Sequence, residues 1–227
     1  MGMLDLQGQM NSKVNPNWIQ AGYPFLRAVL VEGGEAIDHH GWKWWKAQEK
    51  DVDQLQLELV DIFHFTLSHL IIEAGGDVEQ AAANLVNGAK SPDEHVNFDG
   101  REYSIFELDT VGKLELMMGL AVSRRVSIRL FGALLEDCGM TWADLYRQYV
   151  GKNVLNFFRQ DNGYKAGSYR KEWAGREDNA HLVEIMASID PGAGNFCELL
   201  YEQLAVRYAE STKLDTVVTR CGKMRFS

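Results

Sequence analysis

The sequence predicts an all-α protein built as a helical bundle, and three observations support this prediction. The 227 residues include only four prolines. The long stretches between them repeat apolar residues at helical spacing. Alternating β-branched runs, which form half-buried strands, are scarce. A chain of this length can bury a substantial core, so a single helical domain is the simplest expectation.

The apolar spacing predicts a series of helices separated by turn residues. They cover residues 3–13, 17–47, 52–74, 77–89, 104–136, 141–158, 178–189 and 194–210. The polar segment 91–102 is predicted to be a mobile loop, since its Asp99-Gly100 pair is not flanked by alternating apolar runs. Residues 159–176, rich in glycine, tyrosine and basic residues, are predicted to be irregular. We expect one domain over residues 1–227, with a disordered tail at 211–227.

The composition excludes several classes of protein and partner. The formal net charge is −9, which disfavours binding to the backbone of a nucleic-acid polymer. The three cysteines lie far apart with no C-x-x-C pair, so we expect neither a disulfide framework nor a zinc site. We find no signal peptide and no continuous apolar segment of membrane-spanning length. These observations predict a cytoplasmic protein without a membrane partner.

Two of the predicted helices carry acidic residues on stripes that otherwise look buried. Glu32 and Glu35 lie in the middle of one stripe, and Glu58 and Asp61 lie in the other. Burying carboxylates at this spacing costs several kcal/mol each unless a cation compensates. Neighbouring antiparallel helices would bring the four together, and hard oxygen ligands suit Mg²⁺ or Mn²⁺. The alternative is that both are ordinary solvated helix faces.

Two details bear on this interpretation. A di-iron bundle would need an E-x-x-H motif on each of two helices, and only His64 is suitably placed, so we expect His64 to be a hydrogen-bonded core residue. Gly33 and Gly34 each cost a helix about 1 kcal/mol relative to alanine. Close approach of another backbone or of a ligand is the reason we consider for them.

A basic segment follows at residues 151–171. It carries five lysines and arginines against one acid, Asp161, while aromatic residues and two glycines interleave. Such a segment can cradle a polyphosphate through its cations and its backbone N–H groups, although a solvated loop has the same composition. Together with clustered acids, it matches the two halves of a metal–nucleotide site.

Four segments resemble the dimeric, all-α dUTPase family, which is related to other all-α NTP pyrophosphohydrolases. They are LQGQMN (6–11), EGGEAIDHHGWKWWK (32–46), ELVDIFHF (58–65) and GKNVLNFFRQDNGYKAGSYRKEWAGREDN (151–179). The first is similar to the family's L-Q-x-x-L-N segment, with Met10 in place of the leucine. The region 90–140 carries no matching motif.

The resemblance implies Mg²⁺-dependent hydrolysis of dUTP, and of dUDP, to dUMP by metal-activated water, with release of pyrophosphate or phosphate. Glu32, Glu35, Glu58 and Asp61 would hold two or more Mg²⁺ ions, for which Mn²⁺ would substitute. Glu35 would also be the catalytic general base. A homodimer is implied as well, in the cytoplasm, or in the host cytoplasm if the protein is encoded by a phage.

The resemblance also implies two sets of substrate contacts. The phosphate-binding residues would be Asn156, Arg159, Tyr164, Lys165, Arg170 and Lys171. The base- and sugar-binding residues would be Gln7, Asn11, Trp45, Phe65 and Asn179. An amide can both donate to and accept from a pyrimidine edge, and a phenyl ring under the deoxyribose would disfavour a 2′-hydroxyl.

Two alternatives remain open at this stage. One is a relative that hydrolyses dCTP as well as dUTP, because a single amide flip would accommodate either base. The other is a non-catalytic helical module that binds a nucleotide or a protein.

Overall fold

The computed structural model describes residues 2–190 and 193–223, with side chains described as far as Ser211. The all-α prediction is confirmed, because the described residues form ten helices and two small antiparallel sheets. The helices are α1 (Met3–Val14), α2 (Trp18–Ala21), α3 (Phe25–His40), α4 (Val52–Glu73), α5 (Val78–Ala89), α6 (Thr110–Val122), α7 (Ile128–Asp137), α8 (Trp142–Asp161), α9 (Asp178–Ser188) and α10 (Phe196–Lys223). The strands are β1 (His95–Phe98), β2 (Arg101–Ser104), β3 (Glu172–Trp173) and β4 (Arg176–Glu177).

The chain divides into two compact units, Met1–Tyr149 and Val150–Ser227. Helix α8 begins in the first unit and ends in the second. Our expectation of a single domain over residues 1–227 stays a prediction.

Helix α4 is the core helix of the first unit. It begins after Asp51, whose carboxylate accepts a hydrogen bond from the Gln54 backbone N–H at 3.1 Å. Of the described helices, only α4 is long and apolar enough to span a membrane, with a mean hydropathy of 1.3 over an 18-residue window. However, 72% of that window is buried within the protein, as is usual for a core helix. Helix α4 also carries Glu58 and Asp61.

Helix α3 packs against both α4 and α6. Gly33 lies on its buried side, where a Cβ atom would come within 2.6 Å of the Met118 Cγ on α6. We considered close approach of another group as the reason for the two glycines. At Gly33 this close approach is the contact between α3 and α6. Gly34 is exposed, and a Cβ there would meet no described atom within 4 Å.

The predictions of two long helices are wrong, because in the structure a turn interrupts each of them. The helix predicted over 17–47 breaks at Gly22, where φ is 58°, and ends at Gly41, where φ is 83°. The apolar stripe of this predicted helix, which carries Glu32 and Glu35, therefore ends with α3 at His40. The helix predicted over 104–136 is two helices, α6 and α7, and Arg124 in the turn between them has a φ of 62°.

The segment predicted to be a loop at 91–102 contains most of a β-hairpin, so that prediction is wrong in this respect. Strand β1 pairs with β2, and Phe98 is opposite Arg101. Asp99 and Gly100 form the two-residue turn, both with positive φ (50° and 73°), as a type I′ turn requires. We missed the hairpin because each strand has only four residues and because β2 does not alternate between apolar and polar residues, although β1 does.

The second unit has its own core, in which the last part of α8, α9 and α10 surround Trp173. This side chain is fully buried, and its Nε1–H donates to the Arg170 carbonyl oxygen at 2.8 Å. His181 stacks on the indole, with ring centroids 5.2 Å apart. Trp173 belongs to the short β3–β4 hairpin, all of which except Glu177 lies in the segment 159–176 that we predicted to be irregular.

The predicted tail at 211–227 lies almost entirely outside the fully described residues. The backbone of α10 continues to Lys223, beyond its predicted end at 210. The side chains after Ser211 and residues 224–227 are not described.

The two adjacent glycines of α3 give a matched test of the packing. We expect Gly34→Ala to raise the free energy of unfolding by up to about 1 kcal/mol, because it adds helix propensity at an exposed position. Gly33→Ala should lower it by about 1–3 kcal/mol, because Met118 must shift. Chemical denaturation measures both, and equal gains in the two variants would contradict the α3–α6 contact.

Candidate functional site

Three of the four predicted metal ligands meet in the first unit. Glu32 on α3 and Glu58 and Asp61 on α4 each place a carboxylate oxygen within 4.8 Å of the other two. The packing of α3 on α4 brings them together, and the i, i+3 spacing puts the last two on one face of α4. Glu58 is 7% exposed, while Glu32 and Asp61 are partly buried.

The donor set of this acidic triad fits a divalent cation. Three carboxylates this close repel one another, and a cation between them offsets both the repulsion and the loss of hydration. Oxygen ligands suit Mg²⁺ or Mn²⁺, and three protein ligands leave coordination positions for water and for phosphate oxygens. The triad can therefore hold a metal ion.

The fourth predicted ligand, Glu35, lies outside the triad. It is exposed, three residues beyond Glu32 on α3, or about 4.5 Å along the helix axis. Its assignments as a ligand and as the general base stay predictions. We did not predict His39, whose Nε2 lies 3.7 Å from the Glu58 Oε1. The signal was present in the sequence, because His39 shares the helical stripe of Glu32.

The two predicted base-binding amides of α1 face α4. Gln7 is buried, and its Nε2–H donates to the Asn11 Oδ1 at 3.1 Å. Asn11 in turn donates from Nδ2 to the Ser68 Oγ at 2.9 Å. His64 is a buried, hydrogen-bonded residue, as we expected, and its Nδ1 lies 2.8 Å from the Gln7 Oε1. The sequence-based analysis missed Ser68, although it lies seven residues after Asp61 on the same face of α4.

The predicted aromatic contacts occupy two different places. Phe65 is partly buried and stacks on Phe25, with ring centroids 6.4 Å apart. Trp45 is 58% exposed and belongs to an edge-to-face cluster with Trp42 and Trp44. The Gln48 Oε1 shapes this loop by accepting hydrogen bonds from two consecutive backbone N–H groups, those of residues 42 and 43, at 3.0 and 2.7 Å.

In the second unit, the predicted phosphate-binding Arg159 forms a buried ion pair that the sequence analysis missed. Its Nε and Nη2 donate to the two carboxylate oxygens of Asp178, both at 2.8 Å. The Tyr169 hydroxyl also donates to Asp178, at 2.7 Å. Burial raises the pKa of Asp178, but the hydrogen bonds and charge of Arg159 outweigh it and hold this pKa below its ordinary value. Burial, followed by the charge of Asp178, raises the pKa of Tyr169.

Two predicted amides adjoin this ion pair. Asn156 accepts from the Arg159 Nη1 at 3.1 Å. Asn179 accepts from the Arg159 Nη2 at 3.3 Å and from the Lys152 Nζ at 2.9 Å. Lys152 is 2% exposed, and we did not include it in either substrate-binding set. Its position four residues before Asn156, on the same face of α8, was the available signal.

The remaining predicted phosphate contacts differ in exposure. Tyr164, Lys165 and Lys171 are exposed. Arg170 is partly buried: its Nη2 donates to the Ser211 Oγ at 3.0 Å, and its guanidinium lies 5.2 Å from the centre of the Tyr208 ring. The structure thus ties Arg170 to α10.

A model of the dUTPase family matches residues 1–164, well over half of the chain. The chain belongs to the dUTPase family. No curated protein matches it. The family is a dUTP diphosphatase family that depends on a metal in general, so the chain is an enzyme and its substrate is a nucleotide. The match includes the acidic triad and the α1 amides, whereas residues 165–179 lie beyond it.

The contribution of the buried Arg159–Asp178 ion pair to stability can be tested by substitution. Arg159→Met leaves the Asp178 carboxylate buried without its guanidinium, so we expect the free energy of unfolding to fall by about 3–5 kcal/mol. Arg176→Met removes an exposed pair with Glu184 from the same unit and should cost less than about 1 kcal/mol. Equal losses, measured by chemical denaturation, would contradict a stabilising role for the buried pair.

Proposed function

We propose that the chain hydrolyses dUTP, and dUDP, to dUMP in the presence of Mg²⁺, and that the acidic triad holds the cation. The observation that carries this proposal is the 4.8 Å grouping of Glu32, Glu58 and Asp61 inside the segment that matches the dUTPase family. Hydrolysis of a phosphoanhydride requires that the negative charge on its oxygens be neutralised. A close group of carboxylates can hold a cation that provides this positive charge.

A divalent cation in the triad supplies positive charge to the phosphate oxygens and lowers the pKa of the attacking water. The chain's own residues have separate tasks. The triad carboxylates hold the ion in place, and the exposed Glu35 accepts the proton of the attacking water. The fuller proposal has two or more Mg²⁺ ions, with Glu35 also a ligand and Mn²⁺ as a substitute.

The substrate contacts complete the proposal. The base and sugar are bound by the side-chain amides of Gln7, Asn11 and Asn179. The rings of Trp45 and Phe65 pack against the base and the sugar. Lys165 and Lys171 neutralise phosphate charge together with Tyr164, Asn156, Arg159 and Arg170. Lys165 and Lys171 are the exposed cations of this set, whereas Arg159 is buried and Arg170 is partly buried.

The proposed setting is a cytoplasmic homodimer, with neither a nucleic-acid polymer nor a membrane as a partner. The strongly negative net charge supports the first exclusion.

The function is tested by incubating the purified protein with dUTP and Mg²⁺ and identifying the products. We expect dUMP and pyrophosphate from dUTP, dUMP and phosphate from dUDP, and no hydrolysis after a chelator is added. If dUTP stays intact with Mg²⁺ present, the proposal fails. Competition between dUTP and dCTP in one reaction shows whether the enzyme accepts both bases.

The metal site is tested by binding. We expect Glu58→Gln and Asp61→Asn each to weaken Mn²⁺ affinity by at least about 10-fold in calorimetry, because each removes a charged ligand. Glu73→Gln is the matched control: it lies on the same helix, is exposed, and should leave the affinity unchanged. Unchanged affinity in both triad variants would place the cation elsewhere.

The proposed base makes a different prediction. Glu35→Gln should lower kcat by about 10²- to 10⁴-fold, because an amide cannot accept the proton. Glu115→Gln, an exposed acid on α6, should leave kcat unchanged. A kcat for Glu35→Gln within about 2-fold of the wild type would remove Glu35 from catalysis.

A further inference from the structure

Tyr149 connects α8 to Gln7, one of the two amides of α1, but has no part in the function proposed above. Its side chain is fully buried, and its hydroxyl lies 2.8 Å from the Gln7 Oε1 and 2.9 Å from the Met3 carbonyl oxygen. Its ring stacks on His64, with centroids 4.1 Å apart and planes 22° apart. The hydroxyl shares its single proton between these two acceptors, and the Gln7 Oε1 also faces the His64 Nδ1 at 2.8 Å.

From Gln7 the hydrogen bonds form a chain in which each side chain donates to the next. Gln7 donates to Asn11, Asn11 donates to Ser68, and the Ser68 hydroxyl donates back to the His64 carbonyl oxygen at 3.0 Å. An amide has a donor at one end and an acceptor at the other, so each bond fixes the orientation of the next group. The network of Gln7, Asn11, His64, Ser68 and Tyr149 is here called the amide network.

This orientation of Gln7 requires one tautomer of His64. Its Nδ1 faces a carbonyl oxygen of Gln7, which only accepts, so the proton of the neutral ring is on Nδ1. Reversing Gln7 would present an N–H to this nitrogen and would oblige the proton to move to Nε2. It would also turn an oxygen toward the Asn11 Oδ1, so Asn11 would have to reverse as well. The two amides and the tautomer therefore change together or not at all.

The amide network lies along the same helix as the acidic triad. From Asp61, the axial rise along α4 is about 4.5 Å to His64 and about 10.5 Å to Ser68. These separations are comparable with the reach of a nucleotide from its phosphates to its base. A nucleotide with its phosphates at the triad can extend its base toward Asn11, which is partly exposed.

We propose that Tyr149 is a positioning residue that holds Gln7 and Asn11 in one orientation and so makes the enzyme prefer uracil to cytosine. Uracil offers a donor at N3 and an acceptor at position 4, whereas cytosine offers the reverse. An amide in a fixed orientation matches one base and leaves a buried polar atom unpaired against the other, but an amide that turns matches both. This inference rests on the proposed function.

The test is Tyr149→Phe, which deletes the hydroxyl and keeps the ring on His64. We expect the KM for dUTP to rise about 10-fold with kcat within about 2-fold, because the loss of one buried hydrogen bond affects binding and not the reacting groups. The ratio of kcat/KM for dUTP to that for dCTP should fall about 10-fold. Tyr146→Phe, an exposed position on the same helix, is the matched control and should change none of these values.

A second variant acts at the other end of the network. Ser68→Ala removes the partner of the Asn11 Nδ2, so it should lower the dUTP/dCTP ratio as well. If Tyr149→Phe fails to fold, Ser68→Ala decides the outcome. If both variants fold and keep the wild-type ratio, the inference is overturned and the proposed function stands.

A measurement that does not depend on catalysis distinguishes failure of this inference from failure of the proposed function. Nitrogen NMR of the His64 ring should show the Nδ1–H tautomer in the wild type and loss of this preference in Ser68→Ala. An Nε2–H tautomer in the wild type overturns the inference, whatever the activity. If the Nδ1–H tautomer is present but dUTP is not hydrolysed, the proposed function fails, and so does the inference about base preference that rests on it.

Discussion

The central constraint of this structure is the cost of placing three carboxylates close together on two packed helices. The contact between α3 and α4 brings Glu32 close to Glu58 and Asp61, with carboxylate oxygens within 4.8 Å of one another. A positive charge among them would relieve the repulsion, so the packing that stabilises the first unit also assembles a group that can hold a cation. Gly33 lets Met118 of α6 lie close against α3.

Beyond the acidic triad, α4 carries a second group of polar residues. The helix carries charged oxygens first and then the uncharged polar groups of His64 and Ser68, so one rigid element can address two chemically different ends of a nucleotide. The second unit handles charge in another way. Its basic segment is partly neutralised inside the unit, where Arg159 and Asp178 stabilise each other. Lys165 and Lys171 lie at the surface, and the substrate proposal uses them together with Arg159 and Arg170.

The sequence predicted features that depend on local spacing. The acids of α4 were predictable because residues three apart share a helical face, and α4 itself was predicted to within one residue at its end. Features that depend on distant partners were not predictable. Nothing near Arg159 in sequence shows that Asp178 turns back to it, and nothing near Gln7 indicates Tyr149. Helix breaks were missed where a glycine with positive φ, such as Gly22, ends a pattern that otherwise continues.

The most direct test of the account is a crystal structure with Mn²⁺ and a non-hydrolysable dUTP analogue, in which anomalous scattering locates the metal. The account predicts an anomalous peak coordinated by oxygens of Glu32, Glu58 and Asp61 and by the analogue's phosphates. A phosphate-bound metal that none of these three carboxylates ligates would contradict it.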